Sequence, residues 1–76
     1  MIKEHELVVL TSPVPSEKLE AGDVGTVVHV YEDGRAYEVE FNALDGHTTV
    51  VVTLEAAQVR PITNRDMIHA REIQTA

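Results

Sequence analysis

Glu38 and Glu40 alternate in the stretch AYEVEF, so a strand there sets both carboxylates on one side, roughly 7 Å apart. That spacing overlaps the carboxylate pair of a glycosidase. Glycosidase chemistry also needs a cleft, and binding pockets usually hold about 300 Å³ or more. A chain this small offers little such volume, so the pair reads as a solvated strand face. The four histidines, His5, His29, His47 and His69, never fall into H-x-H, H-x-x-x-H or H-E-x-x-H spacing. There is no cysteine, hence no thiol nucleophile and no Cys-based zinc site. Ser12 and Ser16 sit in a proline-containing loop without a nucleophile-elbow pattern.

Gly22 and Gly25, in AGDVGTVV, raise the question of a phosphate-binding loop. A dinucleotide fingerprint requires G-x-G-x-x-G between a strand and a helix, and a P-loop requires a lysine after its spaced glycines. Neither is present. The residues that follow, Thr26-Val27-Val28, are strand-formers, so no helix N-terminus is available to hold an anion. Asp23 adds a negative charge where the anion would sit. No catalytic residue, metal-ligand set or cofactor is therefore assigned, and an enzyme is not expected.

The elements that carry these residues are short strands. Glu6 to Leu10 reads as a first, mostly buried strand. The loop TSPVPSEKLEAGD follows, in which Ser16 can cap one helical turn and Gly22 can close it. Val24 to Tyr31 is largely apolar on both faces, as a central strand would be. Strict alternation puts His29 on the same face as Val27 and Tyr31, as part of a wall. Gly25, early in that strand, marks a bend or a close backbone approach, which a small curled sheet requires. Glu32-Asp33-Gly34-Arg35 is a hairpin turn. Ala36 to Asn42 alternates cleanly, with Tyr37, Val39 and Phe41 inward. A turn over Leu44 to His47 leads to a fourth strand, Thr48 to Leu54. Glu55 to Gln58 fits one 3₁₀ turn, and Val59 to Ile62 is a fifth strand that Pro61 marks as an edge.

Five strands, a long first loop, tight connections and a 3₁₀ turn before the last strand predict a mainly β fold: a small five-stranded SH3-like barrel over residues 1–62. Residues 63–76 form a tail. Thr63 or Asn64 can cap a helix there, with Asp66 in its first turn, Met67, Ile68 and Ala70 on an apolar side, and Ile73 able to extend it. A strand-like tail is the rival expectation. A helix of about ten residues needs a surface to pack on.

Thirteen acidic residues face six basic ones in 76 residues, for a formal charge of −7. Such a surface repels phosphate backbones and favours basic partners. Lys3, Lys18, Arg35, Arg60, Arg65 and Arg71 are scattered and form no basic stripe. No run approaches the 18 apolar residues of a membrane span, and the apolar run near the start is too short for a signal peptide. The expectation is a soluble, cytoplasmic protein. A core of this size supplies only about 3–5 kcal/mol, so a compact sheet or a partner subunit must contribute.

The G-D-V-G-T-V-V core is similar to the turn-strand segment of KOW-type modules, which often contact RNA. More specifically, IKEHELVVLT, L-x-AGDVGTVVHVY, AYEVEF and VVTLEAAQVRP, in that order over residues 2 to 62, resemble a small bacterial family known as the domain of unknown function number four-nine-two-six. The resemblance implies a short SH3-like protein with no established catalytic residue, and it carries over no functional residue.

By analogy with other small acidic proteins, the expected function is protein binding, as the antitoxin or immunity member of a two-protein pair. Glu32, Asp33, Glu38, Glu40 and Asp45 would steer a basic partner. Met67, Ile68 and Ile73 would dock as an amphipathic segment, or join two copies in a homodimer. The alternatives are a KOW-like nucleic-acid-associated module and a non-catalytic SH3-like subunit of a larger enzyme. Nucleic acid and membrane are not the expected partners.

Overall fold

The structure, a computed structural model, describes residues 2–73. Five strands are present: β1 (Leu7–Leu10), β2 (Val24–Tyr31), β3 (Ala36–Asn42), β4 (Thr49–Glu55) and β5 (Val59–Pro61). They form one antiparallel sheet in the order β4-β3-β2-β1-β5, consistent with an SH3-like fold. β4 and β5 are not hydrogen-bonded to one another, so the ladder is open and these two strands are its edges. Single 3₁₀ turns occupy Pro15–Glu17 and Ala56–Gln58, and a turn of positive φ over Glu32–Gly34 joins β2 to β3.

One face of the sheet, together with Leu19 from the first loop, encloses the core. Val8, Leu10, Val27, Tyr37, Val39, Phe41, Leu54 and Val59 are buried there, with no buried polar or charged residue among the described residues. The alternation of β3 is as expected: Tyr37, Val39 and Phe41 are buried, while Glu38 and Glu40 turn outward.

β2 departs from strict alternation. Val27 pairs with Val39 but His29 pairs with Glu38, so Val28 is an extra residue without a partner. A one-residue insertion of this kind exchanges the faces of everything beyond it. Val30 therefore turns inward opposite Tyr37, while His29 and Tyr31 move to the outer face. The expectation that His29 shares a wall with Val27 is corrected by this bulge.

Two local expectations in the first loop also change. The 3₁₀ turn starts at Pro15, not Ser16; no side chain caps it, and Lys18, not Gly22, takes the left-handed position that ends it. Gly22 has φ +98° in the next turn, where its N–H donates to the Leu10 carbonyl (2.7 Å). The 3₁₀ turn before β5 is as expected. Gln58 Oε1 accepts from the Glu55 N–H (2.8 Å), half of a reciprocal capping box.

The tail is neither helix nor strand through residue 73, and residues 74–76 lie outside the described residues. Asp66, expected in a first helical turn, instead receives two hydrogen bonds from Arg60 (3.0 and 2.7 Å) and one from the Thr63 N–H (2.8 Å). Arg71 is drawn to Asp23 across the first loop. These contacts hold the segment extended between two anchors. A short helix would have to repay its nucleation cost with few internal bonds.

Candidate interaction surface

The structure separates the expected contact residues into two regions. The first is the outer face of β2, β3 and β4. Cross-strand neighbours Leu7, Thr26, Glu40 and Val51 make one row over four strands, and His29, Glu38 and Thr53 make the next. Glu38 accepts from the Tyr31 hydroxyl (3.0 Å) and the Thr53 hydroxyl (3.1 Å). Glu40 accepts from the Asn42 amide (3.3 Å). Glu38 raises the Tyr31 phenol above its ordinary pKa, first by accepting its hydrogen bond and also by its charge, with burial adding to the effect. At the end of this face, Glu32 and Asp33 sit exposed on the hairpin, both with positive φ (46° and 58°). Glu32 has only a loose, exposed ion pair with Arg35 (3.9 Å). Hence Glu32, Asp33, Glu38 and Glu40 lie along one hairpin, as their sequence positions suggest.

The second region lies at the other end of β3. A half-open groove of about 860 Å³ runs between the sheet end and the tail. Leu19 from the first loop and Val24, Phe41 and Val50 from the sheet line it, with Ile68 and Ile73 from the tail. The expectation of little room for a pocket is corrected here: the volume lies within the usual range for ligand sites. The sequence could not reveal it, because one wall is a segment more than forty residues beyond Val24.

Asp45 joins Ile68 and Ile73 at this groove, but its carboxylate is already used. It accepts from the His47 N–H (2.8 Å), the Thr48 N–H (2.9 Å) and the Thr48 hydroxyl (2.7 Å). These bonds, the His47 one foremost, hold its carboxyl below the usual carboxylate range. Asp45 is thus a turn-former as well as a charge. Met67 is 93% exposed, outside the groove lining, and Ile68 is 76% exposed. The three tail residues therefore do not form the single apolar side that a helix would have given them.

Asp23 and Arg71 are the pair that sequence reasoning missed. Arg71 Nε donates to Asp23 Oδ1 (2.8 Å) and Nη2 to Asp23 Oδ2 (2.6 Å). Nη2 also donates to the Lys18 carbonyl (3.0 Å). The side chains are only 18% and 14% exposed. Burial pushes the Asp23 carboxyl up, but the hydrogen bonds from Arg71 and the Glu20 N–H, with the Arg71 charge, outweigh it and leave the group below its ordinary pKa. The only sequence signal was an acidic residue inside a glycine turn and an arginine in the tail.

Chemically, the groove offers apolar side chains and a self-satisfied ion pair, with Glu17, Lys18, His69 and Glu72 also in its lining. Among the described residues no three His, Asp or Glu side chains gather as metal ligands. No helix among them is long and apolar enough to cross a membrane.

A family model described as "Domain of unknown function (DUF4926)" matches residues 4–61. Among curated proteins and solved structures, none matches.

Proposed function

The chain belongs to the family of unknown function DUF4926, and we propose that it works without catalysis by binding one partner protein that presents a basic surface. The role fits the antitoxin or immunity member of a two-protein pair. One observation carries the reading. On the outer face Glu38 meets two hydroxyls and Glu40 an amide, with no cation paired to either among the described residues, and Glu32 has only its loose, exposed pair with Arg35. The two tight ion pairs, Arg60–Asp66 and Arg71–Asp23, lie in the tail and the first loop and neutralise nothing on that face. The face keeps its negative field, which steers a basic protein and repels a nucleic-acid backbone.

Co-purification from native lysate with the wild-type chain and with a Glu38→Gln, Glu40→Gln double variant tests this. The wild type should recover one basic protein at near-stoichiometric yield. The double variant should lose most of it, because both changes keep shape and remove charge. Recovery of the wild-type chain alone, or equal recovery by both chains, counts against the proposal.

A further inference from the structure

The two edges of the sheet are unlike. β5 is three residues long and ends in Pro61, with the charged Arg60 beside it, two devices that discourage pairing with another chain. β4 runs for seven residues, TVVVTLE, in unbroken register with β3. It holds no proline, lysine or bulge, and its one charge is at the last position.

The outward groups of β4 can be identified. The Ala43 N–H donates to the Thr48 carbonyl (2.9 Å) at one end of the β3–β4 ladder, and the Ala56 N–H donates to the Arg35 carbonyl (3.0 Å) at the other. Antiparallel bonding alternates, so Val50, Val52 and Leu54 turn their backbone groups to β3. Thr49, Val51, Thr53 and Glu55 turn theirs away, to the free edge. The Glu55 N–H is already taken by Gln58 (2.8 Å). That leaves Thr49, Val51 and Thr53, none of which has a backbone partner on that side among the described residues. The Thr49 and Thr53 hydroxyls point back to Asn42 and Glu38, and Val51 is 51% exposed.

We propose that β4 is a homodimerisation edge, on which the β4 strand of a second copy pairs antiparallel about a two-fold axis at Val51. This contact uses the backbone edge of β4, next to the basic-partner face to which Val51 and Thr53 lend their side chains. The free positions are self-complementary: Val51 meets its own copy, and Thr49 meets Thr53, as a two-fold interface requires. All three free donors are used, for about six interstrand bonds. The capped Glu55 stays outside the joint. The net charge of −7 opposes association, but the paired residues Thr49, Val51 and Thr53 carry none of it. Glu38 and Glu40 lie one strand back, so the two β3 strands stand three spacings apart, about 14 Å. That exceeds the screening length of about 8 Å at physiological ionic strength.

Sedimentation equilibrium on the full chain is the test, with Val51→Lys and, as a control, Asn64→Lys in the exposed turn of the tail. The wild type and the control should show twice the chain mass, and Val51→Lys the mass of one chain. Because the chain has no cysteine, Val51→Cys and Thr49→Cys add a readout that does not depend on the lysine variant folding. Directly opposed strand residues sit about 5.5 Å apart at Cα, within disulfide reach. Val51→Cys should cross-link on oxidation and Thr49→Cys should not. A monomeric wild type at millimolar concentration overturns the proposal, as does pairing of β4 only with a different protein. A dimer that survives Val51→Lys, and so rests on another surface such as the tail, overturns it as well.

Discussion

A β-carbon placed on Gly25 would stand 2.6 Å from Val39 Cγ1 and 2.9 Å from both the Glu40 carbonyl oxygen and Phe41 Cε1. Two of these atoms belong to the core and one is backbone, so none can yield cheaply. Gly25→Ala should cost about 1–3 kcal/mol, the range for an overpacked core, and urea unfolding would register it as a lower midpoint. Three aspartates set the acid limit of stability. Asp66 is held far below the usual carboxylate range, chiefly by the Arg60 hydrogen bonds; Asp45 is lowered chiefly by the His47 N–H; and Asp23 is lowered by Arg71 in spite of its burial. A carboxylate with a folded pKa below its unfolded value of about 3.9 stabilises in full above that value. The contribution is lost as pH falls through the folded pKa. Urea midpoints should thus be level from about pH 7 to about pH 5 and fall below about pH 4. Asp66→Asn should show a shallower fall.

At the scale of elements, the tail is held by two polar anchors and no secondary structure of its own. Arg71 reaches Asp23 and the Lys18 carbonyl over about fifty residues of sequence. Arg71→Ala should release the segment after Asp66 while the sheet persists, at a cost of about 1.5–3 kcal/mol, as for hydrogen bonds to charged groups. Hydrogen exchange would show this as faster exchange confined to the tail and the Gly22 turn. Loss of protection across β2 and β3 would mean that the clamp supports the sheet itself. The 3₁₀ turn between β4 and β5 has a comparable fastening in Gln58, whose side chain also keeps the Glu55 N–H from joining an edge pairing.

Over the whole molecule, the charge of −7 acts differently on the two associations proposed. Steering of a basic partner by Glu32, Asp33, Glu38 and Glu40 weakens as salt screens it. Pairing of two β4 edges brings like-charged chains together through uncharged residues. Raising salt from about 50 to about 500 mM should weaken the first, read as slower association with the partner, and leave the second intact or tighter, read as a constant or higher dimer mass. A dimer that salt dissociates would be held by ion pairs and not by the strand edge.

Strand existence and order of faces were legible where local chemistry decides them. β3 alternates because its side chains must, Pro61 marks an edge because it lacks a donor, and the close approach at Gly25 follows from a glycine inside a strand. That Gly22 and Gly25 lead into a strand and not a helix was equally legible. Three things required the tertiary structure. The bulge at Val28 depends on how two strands match in length, so it moved His29 to the outside against its sequence alternation. The groove and the Arg71–Asp23 clamp join segments far apart in the chain, and no local rule links them. The free edge of β4 exists only because the sheet order leaves that strand outermost, a property of the pairing and not of TVVVTLE itself.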